Sequence, residues 1–279
     1  HFMRGLRSVC STMCARDSPI SLRLSLLTAL RSSVSLASLP YIHTHTHIYI
    51  LISSITCCTV HGSNAAINIQ HDQIYAQSRN ELLWGDKSHY GFKQFVDARQ
   101  QLFRTLLARH ATRIKGREVI VFGEWCGKGI MQGAAICSLT KNIFAIFAVQ
   151  IGEHVIIEPR DLSQFMFDNA HQTKDLAHDI YIIPWATEPM RIDFQHVTQL
   201  EHVVQELTEH VIAIDKTDPW VREEFGIEGV GEGLVWYPVL PDDMSMRTLS
   251  DMLFKTKGPS HAMVKHKRGE KEGELQCAF

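Results

Sequence analysis

Residues 59–66 read Thr-Val-His-Gly-Ser-Asn-Ala-Ala. This stretch separates two kinds of sequence, and the fold is decided by which side of it a residue lies on. Upstream, residues 1–58 hold five Arg, one Asp and neither Lys nor Glu, in a background rich in Ser and Leu. Downstream, from Val60, apolar residues recur with the periods of helices and strands, and Gly, Pro and charged residues bound the runs.

Two readings of residues 1–58 stand. A Ser- and Arg-rich, acid-poor segment has the composition of a mitochondrial transit peptide. The run YIHTHTHIYI at residues 41–50 is also what alternating CA and TA dinucleotides encode, which favours translated non-coding DNA. Residues 1–58 are therefore expected to be non-globular. A metal tract at His43, His45 and His47 is the weaker alternative, because the flanking Tyr and Ile extend the repeat without adding ligands.

The chain has 279 residues, 45% of them hydrophobic, and a net charge of −2. That composition supports a sizeable core and gives no global attraction to a polyanion, so any nucleic-acid contact must be local. The seven Cys form no CxxC pair, which points to reduced thiols in an intracellular protein rather than a disulfide or zinc framework. No apolar run reaches the length of a membrane span.

Residues 92–114, FKQFVDARQQLFRTLLARHATRI, place Phe92, Phe95, Val96, Leu102, Phe103, Leu106 and Leu107 on one stripe and predict an amphipathic helix. Residues 196–211 predict a second, with Val197, Leu200, Val203, Val204, Leu207 and Val211 inward. Strands are predicted in EVIVFGEW (118–125), NIFAIFAVQI (142–151), EHVIIEP (153–159), DIYIIPW (179–185) and GLVWYPV (233–239). The elements interleave without a strict βαβ alternation, so the expected class is α+β with mostly antiparallel sheets.

Three places carry candidate chemistry. In FGEWCGKGIM (122–131) a strand delivers Glu124 among glycines, suited to a sugar hydroxyl, although a loop Glu on the surface is the plain alternative. The stretch is not a phosphate-binding P-loop, since Gly123 and Lys128 are too close and no Ser or Thr follows the Lys. In EGVGEGLVWY (228–237) a Gly-rich loop delivers Glu232, which either caps the loop or binds a metal on a phosphate. Lys255 and Lys257 share one side of a predicted strand, where two ammonium groups repel unless an anion lies between them. A solvated strand is the alternative. Lys265, Lys267 and Arg268 extend the basic track toward a nucleic-acid backbone.

Taken in order, TVHGSNAA, QSR, FGEWCGKGI, FAIF, GEGLVW and FKTKG resemble the signature motifs of the RNA ligase 2 family of covalent nucleotidyltransferases, which includes the RNA-editing ligases. The resemblance runs from Val60 to about Lys265. It implies an α+β nucleotidyltransferase (ATP-grasp-like) domain over residues 59–268, with ATP in a cleft between antiparallel sheets flanked by helices, and a short tail at 269–279. It implies ATP and Mg²⁺ as cofactors and RNA 5′-phosphate and 3′-hydroxyl ends as partners, with no membrane and no obligate protein partner. In that family a lysine attacks the α-phosphate of ATP and expels pyrophosphate. AMP then passes to an RNA 5′-phosphate, and a 3′-hydroxyl displaces it to seal the strand.

By position, the resemblance makes His61, Gly62, Asn64, Arg79, Glu124, Phe147, Glu232, Lys255 and Lys257 nucleotide-binding residues. Asn64 would orient phosphates or metal-bound water, Arg79 would contact ribose or phosphate, and Glu124 would take the ribose hydroxyl. Phe147 would stack on the purine, with Phe144 left to the core, and Glu232 would lie near the metal. Lys255 and Lys257, also catalytic, would hold the α-phosphate. The family's nucleophilic lysine precedes a variable residue and His-Gly, and that place is Thr59. The first Lys in the chain is Lys87, so no upstream lysine substitutes. A hydroxyl there forms no phosphoramidate, so the chain is expected to be inactive as written. Either an exon encoding the lysine is missing, or the chain is a catalytically silent ATP- and RNA-binding module. DNA ligases and capping enzymes fit less well, because they show Lys-x-Asp-Gly where this chain has His-Gly-Ser-Asn.

Overall fold

Alternation of β-branched and aromatic residues dictates most of the strands, and a computed structural model shows how they pair. It describes residues 48–53, 62–70, 73–167, 178–192, 197–239 and 254–261. Among the described residues ten strands form two sheets. One is built from β2 (Ser63–Gln70), β3 (Gln73–Ser78), β4 (Val119–Gly127), β5 (Asn142–Ile151) and β6 (His154–Ile156) in the order β3-β2-β4-β5-β6, with β7 (Ile180–Ile182) on β5. The other holds β1 (Ile48–Ser53), β8 (Met190–Ile192), β9 (Gly233–Val239) and β10 (Phe254–Lys257) in the order β10-β9-β1-β8. Every pair is antiparallel except β5 with β7. The α+β class and its antiparallel sheets are as the sequence predicts.

The larger sheet is covered on both faces, which is why β4 and β5 read as nearly continuous apolar runs rather than alternating ones. Ala65, Ile67, Val121, Trp125, Phe144 and Ile146 face one core with the helices. Ala66, Phe122, Cys126, Ala145, Phe147 and Ala148 face a second core that also contains Val235 and Tyr237 of β9. The two sheets thus meet across the second core.

On the helical side, α1 (Phe92–Asp97), α2 (Gln100–Arg109) and α3 (Ala111–Ile114) replace the single helix expected over 92–114. The chain leaves the helix twice, at Ala98–Arg99 and at His110. At the first break the Arg99 guanidinium lies 3.8 Å from the Phe95 ring centroid and 3.5 Å from Asp179, a distant ion pair that the apolar stripe does not encode. The anticipated core residues Phe92, Phe95, Val96, Leu102, Phe103 and Leu106 are all buried.

α5 (Val197–Lys216) is longer than expected and buries Val203, Val204, Leu207 and Val211; His202 is exposed and His210 half-buried. Two short helices escaped the periodicity reading. α4 (Pro159–Met166) starts with Pro in its first turn. α6 (Pro219–Phe225) is N-capped by Asp218, whose carboxylate accepts from the Val221 N–H at 3.0 Å, and ends on Gly226 at φ 68°. Pro at a helix start and Gly at its end are stop and start signals that need no apolar stripe.

The domain boundary expected at residue 58 differs in one respect. β1, inside the stretch read as non-globular, pairs with β8 over Ile48–Ile50 and with β9 over Tyr49–Ser53. The His tract at 43–47, Thr59, His61, Lys265, Lys267, Arg268 and the tail lie outside the described residues. No helix among the described residues is long and apolar enough to cross a membrane.

Candidate nucleotide site

Gly62 is buried where β2 begins, and the next residues set up the site. Register pairs Ser63 with Trp125 and Asn64 with Glu124. Directly opposed residues of an antiparallel pair project to the same face, so Asn64 and Glu124 meet. The Asn64 amide donates to Glu124 Oε2 at 2.5 Å. Arg79, just past β3, donates to Asn64 Oδ1 from Nε at 2.9 Å and from Nη2 at 2.5 Å. The three form a relay from a guanidinium through a carboxamide to a carboxylate.

Glu124 is 1% exposed, and its Oε1 is buried without a hydrogen-bond partner. Burial holds its carboxyl well above the usual range, and Glu232 adds to this. Attraction from Lys255, the Asn64 hydrogen bond and Arg79 pull the other way. A buried carboxyl oxygen without a partner costs about 1–3 kcal/mol, which a hydroxyl donated by a ligand would recover.

Opposite, β10 pairs with β9 so that Lys255 faces Val235 and Lys257 faces Gly233. Thr256 points the other way and accepts the Trp236 indole N–H at 2.9 Å, which locks the strand's orientation. Glu232 is fully buried and bridges the two ammonium groups, Lys255 at 3.2 Å on Oε2 and Lys257 at 2.7 Å on Oε1. The anion required between two like charges is thus supplied by the protein itself. Gly233, at φ 150°, lets β9 approach: a Cβ there would be driven into the Thr256 carbonyl oxygen.

Phe147 reaches the same face through a bulge. Phe122 pairs with Ala148 and Gly123 with Ile146, leaving Phe147 as the extra residue. Two residues opposite one re-aim a side chain, so Ala145, Phe147 and Ala148 all join the core between the sheets, whereas Phe144 packs on the helical side against Phe92 at 5.1 Å. The assignment of Phe144 to the core follows the sequence reading.

The described residues therefore gather Asn64, Arg79, Glu124, Glu232, Lys255 and Lys257 into two hydrogen-bonded groups joined by the Lys255–Glu124 attraction, with Phe147 on the same face. Metal ligation is less well served. Among the described residues no three His, Cys, Asp or Glu side chains converge on a metal position, and both Glu232 oxygens are engaged by lysines. A divalent cation would be held chiefly by the phosphates it accompanies.

One feature beside the start of β2, on the helical face of the sheet, had no signal in the sequence. His89, Tyr90 and Gly91 all have positive φ, at 49°, 55° and 84°. Left-handed backbone costs a non-glycine residue about 1–2 kcal/mol. Three hydrogen bonds hold the turn. His89 Nε2 lies 2.7 Å from Ser63 Oγ, Trp125 Nε1 donates to the Tyr90 carbonyl at 2.9 Å, and Gly91 N donates to Ser88 Oγ at 2.9 Å. Burial lowers the His89 pKa, against a hydrogen bond with the Asn64 backbone and the charge of Glu81.

A family model described as RNA ligase matches residues 60–257. The chain belongs to the RNA ligase family. Among solved structures, this RNA ligase family member is similar to a Naegleria gruberi RNA ligase mutant with ATP and Mn at 15% identity, covering 77% of this chain and 51% of that one, with TM-score 0.41. It is also similar to a second Naegleria gruberi RNA ligase mutant, with AMP and Mn, at 13% identity, 86% and 55% coverage and TM-score 0.44. The chain spans about half the length of these structures. No curated protein matches it.

Proposed function

We propose that this chain is the ATP-binding, adenylyl-transferring domain of an ATP-dependent RNA ligase, and that Thr59 leaves it without the nucleophile. The observation that carries the reading is the buried, orphaned Glu124 oxygen on the wall facing the Glu232–Lys255–Lys257 group. A nucleoside triphosphate satisfies both at once: a ribose hydroxyl donates to Glu124, and phosphate oxygens replace Glu232 on the lysines. The Phe147 ring, in the core between the sheets, offers a stacking face to adenine.

Each group then has a role in the transfer. Arg79 and Asn64 fix the Glu124 carboxyl, so the sugar is oriented before reaction. Lys255 and Lys257 stabilise charge developing on the α-phosphate, the electrostatic contribution that dominates phosphoryl-group chemistry. Mg²⁺ brought with the triphosphate would be held chiefly by its oxygens, near Glu232, and would supply positive charge for the leaving pyrophosphate. A lysine at position 59 would supply an amine whose lone pair forms the P–N bond as pyrophosphate departs. RNA 5′-phosphate and 3′-hydroxyl ends are the proposed acceptors of the later steps.

The test is labelling with α-labelled ATP. The chain with Thr59 remains unlabelled, and Thr59→Lys becomes labelled with AMP. Glu124→Ala weakens ATP binding at least tenfold in either background, the loss expected for a hydrogen bond to a charged or buried group of about 1.5–3 kcal/mol. ATP affinity unchanged by Glu124→Ala would remove the site assignment. A folded, ATP-binding Thr59→Lys chain that fails to label would leave the second reading, a silent ATP- and RNA-binding module. That reading is favoured by Thr59 itself.

A further inference from the structure

The two lysines of the site sit on a short strand. β10 has four residues, and Lys257 is the last of them. Its partner on β9 is Gly233, which offers no side chain to pack on. In the ligase reading, phosphate oxygens replace Glu232 on both ammonium groups. The ion pair that positions Lys257 in the free chain is therefore given up when the ligand arrives, and the end of β10 needs a hold of another kind.

The last turn of α5 provides one. Asp215 lies in that turn, where a carboxylate opposes the helix macrodipole. It reaches to the chain just past Lys257. Asp215 accepts the Ser260 N–H at 3.1 Å on Oδ1 and 3.3 Å on Oδ2, and its Oδ2 accepts the Ser260 hydroxyl at 2.9 Å. The buried His261 ring follows, with Nδ1 3.8 Å from Oδ1. Gly258 is pressed against the carboxylate, and a Cβ there would be driven into it. The same turn grips the other loop of the site. The Ile214 carbonyl accepts the Gly231 N–H at 2.9 Å, and a Cβ on Gly231 would lie 2.6 Å from the Ile214 side chain. Between the loops, Gly258 N donates to the Glu232 carbonyl at 3.0 Å. Two consecutive residues of one helix thus hold the chain beside Glu232 and the chain beside Lys257.

We propose that Asp215 is a positioning residue for the phosphate-binding lysines, anchoring the turn after β10 so that Lys257 keeps its place when phosphate replaces Glu232. This rests on the ligase reading above and adds to it a residue that touches no ligand. A carboxylate suits the task. It accepts from both the backbone and the hydroxyl of Ser260, so it fixes orientation as well as distance, and bonds to an ionised acceptor are the stronger kind. A cation held in advance by the backbone costs less to order when the ligand binds.

The experiment measures ATP affinity of the full chain by calorimetry, with melting temperature alongside. The variants are Asp215→Ala, Asp215→Asn and Ser260→Ala, each alone and combined with Lys257→Ala. Asp215→Ala is expected to weaken ATP binding about three- to thirtyfold, the size of a coupling between groups in one network. Asp215→Asn keeps an acceptor oxygen for Ser260 and should recover most of that loss. Ser260→Ala removes an exposed hydroxyl and leaves the backbone bond. It should lose less affinity and melt as the parent does, so it reads the contact even where Asp215→Ala melts too low to bind. With Lys257→Ala already present, neither change should weaken binding further, because the group they position is gone. A general loosening of the fold would weaken both backgrounds equally, and that result overturns the proposal. ATP affinity unmoved by Asp215→Ala and Ser260→Ala while Lys257 is present also overturns it, and leaves the nucleotide site intact. A parent chain that binds no ATP overturns the ligase reading, and the proposal with it.

Discussion

Glu124 shows how much one residue's surroundings can decide. Burial favours its neutral form, so the folded chain holds that proton more tightly than the unfolded chain, whose carboxyl titrates near 4.5. Between those two values the folded state binds more protons, and stability falls as pH rises. The Glu124 contribution is complete below the unfolded value and is lost as pH climbs through the folded one. Glu124→Gln, neutral at every pH, should therefore melt higher than the parent at pH 8, by about 2–4 °C for each kcal/mol in a chain of this size. The gap should shrink toward pH 5, where other titrating groups cancel in the comparison. A gap independent of pH would mean that Glu124 is ionised in the fold. That Asn64, Arg79, Glu124, Glu232, Lys255 and Lys257 converge was legible in the sequence, because each lies in a short motif whose order could be read. The left-handed turn was not legible. His89 is 26 residues from Ser63 and Tyr90 is 35 from Trp125, and nothing local to Ser-His-Tyr-Gly states that distant strands will hold it at positive φ.

At the scale of elements, the pairing of β9 with β10 decides whether the lysines reach the cleft. Gly233 permits it, so Gly233→Ala should cost about 2–5 kcal/mol from overpacking and backbone strain, read as a lower urea midpoint, and should reduce ATP affinity as Lys255 and Lys257 shift. Gly123 plays a parallel part on the other wall. An added Cβ would lie 2.5 Å from the Phe144 ring and 2.7 Å from the Ala145 carbonyl oxygen, next to the bulge that aims Phe147. The sequence exposed NIFAIFAVQI as a strand with its ends correct, because its apolar run is long and bounded. It concealed the bulge within that run, since an extra residue among uniformly apolar neighbours leaves the pattern unchanged. The helix over 92–114 failed for a related reason: an apolar stripe continues through Arg99, while the Asp179 that draws the guanidinium inward is 80 residues away.

For the molecule as a whole, the strand at Ile48–Ser53 bears on where a stable domain would have to begin. It lies between β8 and β9, so a chain starting at residue 59 would leave one edge of each without its partner. That chain should melt well below one starting at about residue 46 and should be cut faster by protease, whereas equal melting would show that β1 contributes nothing. The dinucleotide-like repeat reads as low complexity, yet its Ile-Tyr-Ile end has the alternation a strand requires, and that end pairs with β8 and β9. The placement of β1 has a consequence for reach. Ser53 ends in the smaller sheet and Ser63 begins in the larger, so the two sheets are leashed to one another by ten covalent steps, at most about 33–36 Å. Position 59 is one of those steps, and four residues can carry it no further than about 14 Å from the Cα of Ser63.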